Sequence, residues 1–122
     1  MREAHIPAVN AILFELLAQL RGYESHVDQL AREWHTERDV VLFGEAGRAM
    51  DRIRMLVVEV PRLSAQWLML MISHAELMHN LWRMTRGESL DLDAEVRDHL
   101  ACVTALAASC RHLLVEGGQV LH

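Results

Sequence analysis

The chain is 122 residues long, 52% apolar and only 5% aromatic, and carries a net charge of −5 with its eight histidines neutral. That size and apolar content exclude a disordered protein and predict one domain, residues 1–122, around one aliphatic core. No basic patch alternates with aromatics, which argues against a nucleic-acid partner, and the longest apolar run, Trp67 to Ile72, is too short to cross a bilayer.

Apolar residues recur at alternating three- and four-residue steps in four segments, as in helices that each bury one face. The first segment reads Ile6, Val9, Leu13, Leu16, Leu20, Tyr23, Val27, Leu30, Trp34. Gly22 falls at an outward position and leaves the register unshifted, so the pattern predicts one helix over 7–36. Pro7 then sits in the first turn, where its missing N–H has no bond to lose. The rival is a break at Gly22 and a restart capped by Ser25 with Asp28 three residues on.

The second segment, Phe43, Ala46, Met50, Ile53, Val57, Val60, predicts a helix over 39–60. Gly44 and Gly47 weaken its first turns by about 1 kcal/mol each. Pro61 stops it, because a residue before proline is pushed out of helical geometry. The third, over 62–86, carries Leu63, Trp67, Leu70, His74, Leu77, Leu81 and Met84 and stops at Gly87. Arg83 and Arg86 lie in its last turn, where cations suit the helix dipole. The fourth, over 91–116, opens with Asp91, Asp93 and Glu95 and carries Leu92, Val96, His99, Val103, Leu106, Cys110 and Leu113 before Gly117-Gly118. Short connections force neighbours to run antiparallel. The expected architecture is an all-α, up-down-up-down four-helix bundle.

Two histidines, His74 and His99, fall on inward stripes. At about 1.5 Å of rise per residue they reach mid-bundle at nearly the same height, and Tyr23 arrives at that layer opposite small Ala46. These three fit a ligand or metal pocket, and they fit equally well a set of neutral core side chains bonded to one another. Metal spacings are missing. No Glu-x-x-His of the diiron bundles occurs, and His74 and His79, five residues apart, diverge by about 140° around a helix. No Cys-x-x-Cys-His for covalent haem occurs either. No cofactor is expected.

His79 with Arg83 one turn on meets the minimum for a phosphotransfer histidine, a spacing that helical surfaces also produce by chance. Cys110 points inward as a small hydrophobe, and Cys102 lies eight residues away on the same helix, so the two cannot bridge. Reduced thiols imply a cytoplasmic home. The run after Pro7 does not read as a signal peptide, because Asn10 and Glu15 interrupt it. All 12 basic residues are Arg, a lysine-free composition that fits a GC-rich bacterial genome.

The third segment has a second apolar stripe on its back: Ala65, Leu68, Ile72, Ala75, His79 and Trp82, flanked by Met69. Phe14 on the first helix and Met55 and Val58 on the second also point outward. A helix apolar on two faces must bury both, unless the two stripes form one wide core face. The sequence therefore predicts a non-enzymatic interaction or regulatory module, a homodimer or the partner of another helical protein, with no pair of acid and base groups at a catalytic spacing. The alternative is a small-molecule or metal-binding bundle centred on Tyr23, His74 and His99.

Overall fold

A computed structural model describes residues 2–34 and 39–120. Among these lie four α-helices and no strand: α1 (Arg2–Arg32), α2 (Asp39–Val57), α3 (Ser64–Thr85) and α4 (Leu92–Val120), with a 3₁₀ turn at Pro61–Leu63 before α3. α1 packs extensively on α2 and on α4, and α3 packs extensively on α4. α2 and α3 touch thinly, and α3 lies diagonally across the bundle from α1. The fold is the four-helix bundle that the periodicity predicts.

The core is aliphatic and follows the 3-4 spacing. Leu13, Leu16, Leu20, Tyr23, Val27, Leu30 and Trp34 are buried from the first segment, and Ala46, Met50, Ile53 and Val57 from the second. Leu63, Leu70, Leu77 and Leu81 meet Val103, Leu106 and Cys110 from the other two. Leu42 and Ala49, off the expected stripe, are also buried.

Several helix ends differ from the sequence reading. α1 begins at Arg2, so Pro7 is its sixth residue, not a first-turn residue. Its ring and missing N–H remove one helical bond in that first part of the helix. At the other end α1 stops at Arg32, and Glu33 and Trp34 form a turn; the remainder of the expected range, to Thr36, lies outside the described residues. Gly22 does not break α1, so the restart at Ser25 is not used, and Asp28 pairs instead with Arg32 at 2.9 Å.

α2 ends at Val57, three residues before the expected stop at Val60. The chain tightens there through i→i−3 bonds from Glu59 to Leu56 (3.1 Å) and from Val60 to Val57 (2.8 Å). Val60, before Pro61, is extended at φ −132° and ψ 81°. α3 begins at Ser64, after the 3₁₀ turn, and the Ser64 hydroxyl donates to the Pro61 carbonyl at 2.7 Å.

The C-terminus of α3 is closed by Gly87 at φ +91°, which only glycine adopts freely. Glu88 N–H bonds Arg83 O and Gly87 N–H bonds Met84 O, a Schellman closure. Arg83 grips the Glu88 carboxylate with two nitrogens, at 2.8 and 3.0 Å, and ties the loop down. α4 is capped by Asp91, whose carboxylate accepts from Ala94 N–H at 3.1 Å. The helix then runs through Gly117 and Gly118 to Val120, past the expected end at 116. Glycine costs a helix only about 1 kcal/mol and stops it only where a left-handed turn follows.

Candidate functional site

Three helices meet at mid-bundle through polar groups. Tyr23 of α1 is fully buried, and its hydroxyl lies 2.7 Å from His74 Nδ1 on α3 and 2.5 Å from His99 Nε2 on α4. On its other side the His99 ring reaches the Ser73 hydroxyl of α3, with Nδ1 at 2.7 Å. The spacing argument brings Tyr23, His74 and His99 together, and in the fold the Tyr23 hydroxyl joins the two imidazoles directly. In the sequence Ser73 is one more small polar residue beside His74, with no spacing that marks it.

Proton counting shapes this cluster. Tyr23 has one proton and meets two nitrogens, so it donates to one and accepts from the other. In one polarity Ser73 donates to His99, His99 to Tyr23, and Tyr23 to His74; in the other every donor reverses. Both polarities need a neutral imidazole at His99, which accepts at one nitrogen and donates at the other, and the first needs one at His74 too. Burial supplies them, lowering the His99 pKa to about 4, with His74 adding to the shift. Burial also lowers that of His74, against the opposing pull of Asp51, and raises that of the Tyr23 phenol, with a smaller contribution from Cys102.

The chain of bonds opens on one side. Ser73 and His99 line a groove of about 540 Å³ between α3 and α4, with Met69, Ile72, Leu77 and Cys102 as apolar wall. Glu76, Asn80, Glu95 and Asp98 complete it, and Asn80 donates to Glu95 at 2.8 Å. Ser73 beside His99 has the outline of a nucleophile and its base, but a base held near pKa 4 draws protons weakly. Amides inside α3 are committed along the helix and are not free to hold an oxyanion.

No protein-family model, curated protein or solved structure matches this chain.

Among the described residues no three His, Cys, Asp or Glu side chains gather as a metal site. His79 is exposed and stacks on Trp82, with ring centroids 6.0 Å apart, well away from His74's partners. Arg83, its neighbour one turn on, is engaged by Glu88 and Asn80. Both cysteines are free; Cys110 is fully buried and its thiol is pushed up to about 11 by burial. No described helix is long and apolar enough to cross a membrane.

The outward stripe is exposed along its whole length. Leu68, Met69, Ile72 and Trp82 are 51, 62, 49 and 50% exposed, and Ala65, Ala75 and His79 are exposed beside them. The inner stripe of the same helix, Leu70, Leu77 and Leu81, is buried, so the two stripes are separate faces and not one wide core face. Phe14, Met55 and Val58 are exposed too. Phe14, however, stands on α1, diagonal to α3, so it does not extend the α3 surface; Met55 stands on α2, which adjoins it, and Val58 in the turn just after α2.

Proposed function

We propose that this protein is a non-enzymatic interaction or regulatory module of the bacterial cytoplasm, a homodimer that associates through the outward face of α3. The observation that carries the reading is the composition of that helix. Of the 22 residues from Ser64 to Thr85 only Glu76 and Arg83 carry a full charge, and Arg83 is already spent on Glu88. A solvent-facing helix of a monomer is normally studded with charges; this one presents an apolar face with Glu76 at its edge, on the groove side. Burying Leu68, Ile72 and Trp82 contributes about 1.5–3 kcal/mol each before the cost of association.

Light scattering on the wild type and on Ile72→Glu tests the reading. The wild type should be a dimer. The variant, which places two unpaired carboxylates in a twofold contact, should be monomeric with unchanged helical circular dichroism. A monomeric wild type rejects the homodimer, a monomer with no partner in pull-downs rejects the module, and an unfolded variant rejects the assignment of the two faces of α3.

A second reading rests on the meeting of Tyr23, His74 and His99 and the groove beside them: a bundle that binds a small molecule or metal there. Elemental analysis of the purified protein, with histidine NMR shifts on titration, separates it from the first.

A further inference from the structure

Resting on the homodimer reading, we propose that the partner of α3 is the α3 of a second copy, packed antiparallel about a twofold axis that passes between Ile72 and Ala75.

The stripe itself argues for this. Its two ends differ in size, with Ala65 and Leu68 at the start and His79 and Trp82 at the end, all exposed. A parallel pair sets like against like, with Trp82 pressed on Trp82 at one end and a hollow between two Ala65 at the other. An antiparallel pair matches Ala65 with Trp82, Leu68 with His79 and Ile72 with Ala75, each small or medium side chain against a complementary one. All six positions find mates in one register. Close helix packing needs this interdigitation, because axes only 8–10 Å apart leave no room for two large side chains at one level.

Charge and the helix ends agree. Arg86 lies over the Trp82 ring at 4.9 Å and carries its cation at the end of the stripe. Exposed Glu59 lies at the opposite end, in the turn before α3. Antiparallel packing brings the Arg86 end of one copy to the Glu59 end of the other, whereas parallel packing sets arginine by arginine and glutamate by glutamate. Exposed Met55 and Val58, near the C-terminus of the adjoining α2, lie at the Glu59 end. The antiparallel arrangement gives them the partner's Trp82 as an apolar neighbour.

Cysteine trapping tests the geometry. In a Cys102→Ser background, with Cys110 sealed in the core, the variants are Ala65→Cys, Trp82→Cys and the two together. Residues 65 and 82 are about 25 Å apart along one helix, beyond the Cα separation that a disulfide spans. On mild oxidation the double variant should run as a covalent dimer on a non-reducing gel and each single variant as a monomer. A second pair, Leu68→Cys with His79→Cys, keeps Trp82 in place and should behave alike. Single variants that link to themselves show a parallel pair and overturn the proposal. Failure of both double variants to link, while light scattering shows a wild-type dimer, places the interface elsewhere and also overturns it. A monomeric wild type removes the homodimer reading itself.

Discussion

Acid should destabilise this bundle at a pH where its carboxylates are still ionised, through His99. The unfolded chain holds that imidazole near its ordinary pKa of about 6.5, and the fold lowers it to about 4. A base that is harder to protonate when folded contributes stability that is complete above the unfolded value. That stability is lost as the pH falls from about 6.5 toward 4, because the unfolded chain takes the proton first. At pH 5 the residue is almost wholly charged in the unfolded chain and almost wholly neutral in the fold, which amounts to about 2 kcal/mol lost relative to pH 7. His74, also lowered by burial, adds in the same direction. Urea unfolding followed by circular dichroism, at pH 7 and pH 5 and a fixed protein concentration, measures the loss. His99→Gln keeps an amide to meet Tyr23 and removes the titration, so its stability should change by less than half as much. Equal wild-type stability at the two pH values, or an equal loss in the variant, would refute the reasoning.

Two further outcomes follow from the same core. Tyr23→Phe removes the hydroxyl that both imidazoles share and leaves buried nitrogens unpaired, so it should cost about 1–3 kcal/mol in denaturant unfolding; a neutral effect would mean that water replaces the phenol. A thiol reagent at pH 8 should modify half-buried Cys102 readily and buried Cys110, pushed up to about 11, only on unfolding. Two equally fast thiols would contradict the packing around Cys110.

Periodicity made the core legible because an aliphatic bundle has little else to arrange. Leu13 through Trp34, Ile53, Leu70 and Leu106 are all buried where the 3-4 spacing places them. The same spacing, with a rise per residue, was enough to bring Tyr23, His74 and His99 to one level. Helix ends were less legible, since they depend on local backbone bonds. The 3₁₀ turn at Pro61 and the i→i−3 tightening at Val60 shorten α2 in a way that apolar spacing does not register.

Ser73 and the acidic groove are illegible in the apolar spacing for a different reason. Their meaning lies in which flank of α3 faces α4, and a stripe of apolar residues defines a face but not the neighbour beside it. One signal was present: Asn80 and Glu95, polar residues flanking the inward stripes of consecutive helices, bond across the seam. The outward apolar surface of α3 was visible in the spacing, whereas the separation of Phe14 from it required knowing that α1 and α3 are diagonal.

That diagonal arrangement also sets the order in which the bundle can be completed during synthesis. Of these four helices α1 leaves the ribosome before the others and packs on α2 and on α4, and α3 leans chiefly on α4. A nascent chain that has emerged only as far as Asp91 therefore holds a hairpin of α1 and α2 with one flank bare, beside a helix with apolar residues on both faces and little to rest on. Tyr23 then lacks His99, and Leu70, Leu77 and Leu81 lack Val103 and Leu106. Because α4 supplies those partners, no earlier fragment has a closed core. Until α4 arrives, the growing chain exposes the kind of surface that chaperones bind.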